Sequence, residues 1–142
     1  MFIKQISVFL ENRPGRIAEI TAVLAEHNIN IRALSIADTA SFGVIRLIVD
    51  SPDTAEKILK ESGFAASIID VIAIGIDDKP SGLASIMKML YENGVGIEYM
   101  YAFTGRLENN AYVIVRAEDG DKAVEILKKN GIGLLSQESI QF

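Results

Sequence analysis

The spacing of apolar residues changes several times along the first half of the chain. A period of two, typical of a strand, covers the first residues, and a three- and four-residue spacing typical of a helix follows it. Next come two runs rich in β-branched residues, a helical stretch opened by Pro52 and a last apolar run. The pattern predicts the order strand, helix, strand, strand, helix, strand, at residues 3–10, 14–27, 29–36, 44–49, 52–62 and from 64 onward.

The second half of the chain repeats this order. Its strand- and helix-like patterns fall at residues 71–76, 82–93, 95–103, 111–116, 121–130 and 132–141. Glycine follows the predicted ends of three helices, where a left-handed residue commonly stops a helix, at Gly63, Gly94 and Gly131.

Individual residues also match between the two halves. Residues 12–20 lie over 78–86, including the two prolines, and residues 55–63 lie over 123–131. The offset grows from 66 to 68 residues, so the second copy has two more residues, which we expect around 106–110. Matches spread over a whole unit indicate an internal duplication.

The order βαββαβ is that of the ferredoxin-like fold, an antiparallel four-stranded sheet with both helices on one face. We therefore expect an α+β protein of two fused units of this kind, at residues 1–69 and 70–142. The last strand of one unit and the first strand of the next meet within residues 67–71, without a Gly- or Pro-rich linker.

Composition excludes several functions of this fold. The chain has 142 residues, 14 basic and 19 acidic, and its net charge of −5 argues against nucleic-acid binding. Without cysteine it forms no disulfide or thiolate metal site, and with one histidine a metal centre or catalytic triad is not expected. The first residues do not form a signal peptide, and the most apolar stretch, 64–76, is too short for a membrane span. We expect a soluble cytoplasmic protein without cofactor.

The loop between the first strand and the first helix, residues 10–17, suits a small zwitterion. A helix N-terminus offers unpaired N–H groups to a carboxylate, and Gly15 allows a ligand to approach the backbone. The amide of Asn12 can both donate and accept hydrogen bonds. Asn30, at the start of the second strand, is expected beside this loop because the chain turns back there.

These residues resemble the ACT domain family of amino-acid-sensing regulatory modules. The similarity is strongest to the regulatory domain of bacterial phosphoglycerate dehydrogenases, over Glu11-Asn12-Arg13-Pro14-Gly15-Arg16-Ile17 and Glu26-His27-Asn28-Ile29-Asn30-Ile31. It extends over both halves of the chain, and the second half keeps Pro80, Gly82, Leu83 and Ile97.

The resemblance implies a free amino acid bound at an interface between two ACT units, held by the loop glycine and by asparagines matching Asn12 and Asn30. A histidine two positions before the first asparagine contributes in that family. Leu10 stands there in this chain, so we expect an amino acid other than serine. In the second unit Asp78 and Gly96 replace the two asparagines. We expect that this half has either lost the pocket or changed its ligand, and that it serves chiefly as a packing partner.

The resemblance further implies a stand-alone tandem regulatory protein without catalytic residues. Edge strands favour sheet extension between chains, so we expect a homodimer, and a partner enzyme or regulator that responds to the ligand through a population shift. The expected ligand-binding residues are Leu10, Asn12, Arg13, Pro14, Gly15, Arg16, Ile17, Asn30 and Ile31.

Simpler interpretations of these residues remain open. Asn12 is equally suited to capping the first helix, with Pro14 in its first turn. Asn30 also suits an exposed start of an edge strand, and Arg13 and Arg16 suit solvent or loose ion pairs. Two other functions are compatible with the loop: a small acylphosphatase-like hydrolase using an arginine with Asn12, and a purely structural dimerisation module.

Overall fold

The contacts within the chain divide it into two compact units. The first unit comprises Lys4–Ile69 with the residues from Ile140 onward, and the second comprises Met1–Ile3 with Asp70–Ser139. The computed structural model describes residues 1–11, 13–39, 41–103 and 111–140. The predicted two-residue insertion lies outside these ranges.

The first unit has the predicted order of elements. These are β1 (Ile3–Glu11), α1 (Arg16–Glu26), β2 (Ile31–Asp38), β3 (Phe42–Val49), α2 (Pro52–Glu61) and β4 (Ala65–Ile76). β4 is one uninterrupted strand, so the two strands predicted to meet at residues 67–71 are continuous.

The sheet of the first unit places the ends of β1 and β2 together. β3 pairs antiparallel with both β1 and β2, and β4 lies next to β1. Because β1 and β2 both run antiparallel to β3, they are parallel to each other. Their carboxyl ends therefore lie at the same end of the sheet. β2 is the outermost strand.

The helices of the first unit cover one face of this sheet, as predicted. Alternate strand residues point to that face, in agreement with the period of two, and they meet the apolar stripe of each helix. Leu24 of α1 and Leu59 of α2 are fully buried there. The core consists of Ile6, Val8, Leu10, Ile20, Leu24, Ile29, Ile45, Leu47, Val49, Ala55, Ile58, Leu59, Phe64 and Ala66.

The second unit repeats this arrangement. After β4 it contains α3 (Pro80–Glu92), β5 (Ile97–Ala102), β6 (Ala111–Ala117) and α4 (Gly120–Lys129). β6 pairs antiparallel with β4 and with β5. Its core is likewise built from strand residues and from the apolar faces of both helices. These residues are Ile72, Ile74, Ile86, Leu90, Val95, Val113, Val115, Ala117, Ala123, Val124 and Leu127.

The predicted last strand, residues 132–141, is wrong. In its described part, residues 132–140, only an isolated bridge between Ile74 and Leu134 forms, and a 3-10 helix over Gln137–Ile140 follows it. The Ser139 N–H donates to the Ser136 carbonyl at 3.1 Å, so the chain turns where a strand would have continued.

The duplication is visible even in the irregular positions. In each unit the second strand has a register shift of the β-bulge type shortly after its first residue, at Ile31 and Ile97. All four α-helices are followed by a residue with positive φ, which stops a helix by the left-handed conformation. These residues are Asn28, Gly63, Gly94 and Gly131.

Candidate ligand-binding site

The loop between β1 and α1 ends at Gly15, which precedes the first helical turn. Gly15 has a φ of 88°, a conformation that glycine adopts without strain, and as the N-cap residue it has no side chain with which to cap the helix. The expectation that Pro14 lies in the first turn is wrong, because Pro14 belongs to the turn before the helix. Gly15 is the N-cap residue of α1, and the alternative in which the Asn12 side chain caps this helix stays a prediction. Asn12 itself lies outside the described residues.

The backbone at the start of α1 is open to a ligand. A Cβ atom added at Gly15 would meet no other atom within 4 Å. The first N–H groups of a helix have no partner within the helix, and they carry the positive end of its dipole. This end of α1 can therefore receive a carboxylate.

A cavity of about 70 Å³ lies beside this loop. Four aliphatic side chains contribute to its wall, two from the loop and helix side and two from β2 and β3. Charged side chains of both signs accompany them. The lining residues are Leu10, Glu11, Arg13, Arg16, Ile17, Ile36, Asp38, Gly43 and Ile45.

The two arginines of the loop are held differently. Arg16 donates from Nη1 to the Glu19 carboxylate at 2.9 Å, and its Cζ lies 4.9 Å from the centroid of the Phe64 ring. Its Nε atom is buried and has no hydrogen-bond partner among the described residues. Arg13 lies 3.7 Å from the Glu11 carboxylate, and both side chains are more than half exposed. Arg13 is thus the more available cation for a ligand.

Asn30 does not lie beside the loop of its own unit, so this expectation is wrong. Leu10 pairs with Gly43 on β3, whereas Ile31 pairs with Val49. Six residues of strand separate these two positions, a distance of about 20 Å. Instead, the Asn30 backbone N–H donates to the carboxylate of Asp50 at 3.2 Å. The chain does turn back after α1, but at the end of the strands that lies opposite the loop.

Sequence reasoning missed the cavity residues that come from β2 and β3. They are Ile36, Asp38, Gly43 and Ile45. The parallel course of β1 and β2 brings the end of β2 next to the loop, and Asp38 pairs with Gly43 beside Leu10. The βαββαβ order contains this information, since it implies that strands one and two are parallel.

An exposed apolar surface borders the cavity. Ile17, Leu34 and Ile36 are 42%, 38% and 43% exposed although they are large aliphatic residues. Leu34 and Ile36 belong to β2, whose outer edge carries backbone groups that β3 does not pair. Such a surface beside an open strand edge is suited to contact with another protein surface.

Groups able to hold a metal ion and helices able to span a membrane are both absent from the described ranges. No group of three or more His, Cys, Asp or Glu side chains there could hold a metal ion. Among the helices of these ranges, none has both the length and the apolar character needed to cross a membrane.

The comparisons with known proteins agree with the duplicated fold. The family model described as an ACT domain pair matches residues 1–141. Protein BT0572 from Bacteroides thetaiotaomicron has a crystal structure similar to this one, with a TM-score of 0.92, 44% identity, and 99% and 96% of the two chains covered. A search of curated proteins returned no match.

More distant structures share the fold. The regulatory subunit of aspartate kinase from Thermus thermophilus, in its ligand-free form, has a TM-score of 0.61 at 21% identity, covering 89% of this chain and 91% of that one. Aspartokinase III from E. coli, in complex with lysine and aspartate, has a TM-score of 0.51 at 22% identity, covering 91% of this chain and 31% of that one. Two ferredoxin-like units, an internal duplication and a match over almost every residue lead to one assignment: the chain belongs to the ACT domain pair family.

Proposed function

We propose that this protein is a non-catalytic regulatory module that binds a small L-amino acid and communicates its presence to a partner. The site is the first unit's loop, with Leu10, Asn12, residues 13–17, Asn30 and Ile31. A second ACT unit closes it.

One observation supports this function above the others: the start of α1, where the N-cap residue Gly15 has no side chain, lies next to a small cavity with aliphatic walls. The helix start provides N–H groups for a carboxylate, and the cavity provides space for a short side chain. Glu11 and Asp38 line the same cavity and provide negative charge for an ammonium group. All parts of a small amino acid thus find complementary groups within a short distance.

The separation of Asn30 from the loop supports a site shared between two units. If one unit contributes the loop and another contributes residues 30–31, both predicted parts can contact one ligand. The exposed Ile17, Leu34 and Ile36, next to the outer edge of β2, provide an apolar surface for such a contact. We assign the contribution of Asn30 and Ile31 to another copy of the chain, which makes the protein a homodimer.

A ligand held by two units stabilises the arrangement in which both contact it. Ligand binding thus increases the population of that arrangement. A partner enzyme or regulator responds if it distinguishes the ligand-bound from the ligand-free arrangement. The close ion pair of Arg16 with Glu19 supports binding over hydrolysis at that arginine, because a hydrolase of this fold would need an arginine free to hold a phosphoryl group.

The test is thermal unfolding of the full chain with each of the twenty L-amino acids. A ligand at 100 times its dissociation constant stabilises the folded state by about 2.7 kcal/mol. For a protein of this length, that corresponds to a rise in Tm of about 5–10 °C. If no amino acid raises the Tm, the proposal is wrong.

Variants locate the site in the first unit. Asn12→Ala, Asn30→Ala and Ile17→Ala should each abolish or reduce the ligand-induced rise in Tm. The matched control is Leu83→Ala, because Leu83 is the counterpart of Ile17 in the repeat and is similarly exposed, at 36%. An equal loss of ligand response in the control would place the ligand elsewhere.

Two further measurements test the remaining parts of the proposal. Sedimentation should give twice the chain mass of 15.5 kDa. Mixing Asn30→Ala chains with Ile17→Ala chains should restore ligand binding, because the intact loop of the first chain then meets the intact Asn30 of the second. Turnover of acyl phosphates that disappears in Arg13→Ala would instead establish a hydrolase.

A further inference from the structure

The second unit contains two Asn-Gly pairs, and each stands where one of its helices ends. Asn93-Gly94 follows α3 and Asn130-Gly131 follows α4, and the sequence has no other Asn-Gly pair. An asparagine followed by glycine is especially prone to deamidation, because glycine has no side chain that shields its backbone nitrogen from the asparagine side chain. Both pairs therefore carry the atoms needed for this reaction.

Deamidation proceeds in two steps and needs only water as a co-reactant. The glycine nitrogen loses its proton and forms a bond to the asparagine Cγ atom, and the side-chain nitrogen leaves as ammonia, which gives a five-membered succinimide ring. Water then adds to one of the two ring carbonyls. Breaking of the new C–N bond gives aspartate, whereas breaking of the original backbone C–N bond gives isoaspartate, which has one extra carbon in its backbone.

In the folded chain the attacking nitrogen of each pair is engaged in a hydrogen bond. The Gly94 N–H donates to the Tyr91 carbonyl at 3.0 Å, and the Gly131 N–H donates to the Lys128 carbonyl at 3.1 Å. Both glycines have the left-handed conformation that closes a helix, with φ of 72° and 73°. The proton that must leave is therefore held by a carbonyl at both positions.

The two asparagine side chains are held as well. Asn93 Nδ2 donates to the Met89 carbonyl at 2.7 Å, and Asn130 Nδ2 donates to the Ile126 carbonyl at 2.8 Å. Both asparagines have a ψ of 10°, and in this conformation the following nitrogen points away from the side chain. Ring closure requires a large rotation about the Cα–C bond, which breaks the hydrogen bonds of the helix end. The helix end must therefore open before either pair can react.

The residue after each glycine decides how easily the helix end opens. The Val95 N–H donates to the Leu90 carbonyl at 2.9 Å, and the Ile132 N–H donates to the Leu127 carbonyl at 3.0 Å. Val95 is a buried core residue, whereas Ile132 is only partly buried against that core. Helix ends open at a lower free energy than whole units, and the less buried end of α4 should open more readily than the end of α3.

The first unit has no such pair at its helix ends. α1 is followed by Asn28-Ile29 and α2 by Ser62-Gly63. The branched side chain of Ile29 shields its backbone nitrogen, and serine has no amide to lose. The two copies therefore share the geometry of their helix ends but differ in the chemistry that those ends allow.

We infer that Asn93 and Asn130 are modification sites of the second unit, which deamidate only when the helix end that contains them opens locally. Asn130 reacts before Asn93, because its helix end is held by the less buried side chain. Both asparagines and the glycines that follow them are exposed, so water reaches the ring once it has formed. This inference does not depend on the ligand site proposed in the first unit.

Modification at either site alters the sheet of the second unit. The Gly96 carbonyl accepts from the Glu118 N–H at 2.9 Å, and the Gly133 carbonyl accepts from the Gly75 N–H at 2.8 Å. Each accepting glycine lies three residues after one of the asparagines. The extra backbone carbon of an isoaspartate displaces that carbonyl from its partner, so the modification weakens the pairing that follows the helix.

The test is incubation of the full chain at mildly alkaline pH, both folded in buffer and unfolded in guanidinium chloride. Peptide mapping by mass spectrometry measures the conversion of each asparagine to aspartate and isoaspartate over time. Ile132→Val removes one methyl group from the contact that closes α4. Its matched control is Ile29→Val, the same change after α1, where the Ile29 N–H donates to the Leu24 carbonyl at 2.9 Å. Asn28 is the internal reference for an asparagine without a following glycine.

We expect both Asn-Gly pairs to convert in the unfolded chain much faster than Asn28, and at least about tenfold more slowly in the folded chain. Ile132→Val should raise the folded rate at Asn130 about two- to tenfold and leave Asn93 unchanged. Ile29→Val should change neither rate. Equal rates in the folded and unfolded chains overturn the inference. An equal rise at both sites in Ile132→Val, or a rise at both in Ile29→Val, also overturns it, because the reaction would then follow unfolding of more than one helix end.

Discussion

Replacing Gly82 by alanine tests the most constrained backbone contact of the second unit. Gly82 lies in the first turn of α3 and is buried. The added methyl group would overlap the carbonyl oxygen of Asp77 and lie 3.0 Å from its carbonyl carbon. Both are backbone atoms, so neither can rotate away as a flexible side chain could. The loop or the start of the helix must move.

The expected cost follows from two opposing effects. Forcing an extra methyl group into a packed site costs typically 1–3 kcal/mol, and overlap with backbone places this case near about 3 kcal/mol. Alanine also favours the helix over glycine by up to about 1 kcal/mol. The net effect is a loss of about 2 kcal/mol in the free energy of unfolding.

Urea denaturation followed by circular dichroism measures this loss. With a slope of about 2 kcal/mol per molar urea, the midpoint should fall by about 1 M. Gly133→Ala is the matched control, because its Cβ atom has open space, and its midpoint should stay within about 0.3 M of the wild type. If Gly82→Ala is as stable as Gly133→Ala, the close approach of the loop to α3 is wrong.

Substitutions at three further positions test the fold of the first unit by denaturation. Leu24→Ala removes a fully buried side chain and should cost about 2–5 kcal/mol, whereas a loss below 1 kcal/mol would contradict its place in the core. Asn28→Ala should cost about 1 kcal/mol because residue 28 has a φ of 57°, and Asn28→Gly should not destabilise the protein. Asp53→Asn breaks the exposed 3.0 Å ion pair with Lys4 and should cost less than about 1 kcal/mol, with no difference from the wild type at high salt.

The order of elements could be predicted because local periodicity carries it. Alternation in β1 and the apolar stripe of α1 match the faces that the structure buries. The last predicted strand failed because its apolar residues are few and a turn at Ser136 competes with pairing. A short apolar run does not define a strand without a partner that continues alongside it.

The candidate site could be predicted only in part. Leu10, Arg13, Arg16 and Ile17 were found because they are close together in the sequence. Ile36 and Gly43 are distant in the sequence, and pairing across β3 brings them to the loop. The misplacement of Asn30 has the same origin. The sequence predicts that the chain reverses after α1, but it does not specify at which end of the strands the reversal occurs.

By itself the sequence determined the duplication, the two βαββαβ units and the family resemblance, because these depend on residue spacing that each copy repeats. Only the tertiary structure decided which copy has the larger open space. In one unit Arg16 lies over Phe64 beside a small cavity, whereas Gly82 and Ile132 line a larger cavity in the other. A cavity is the volume that side chains from several elements fail to fill, so it depends on how those elements pack, which residue spacing along the chain does not specify.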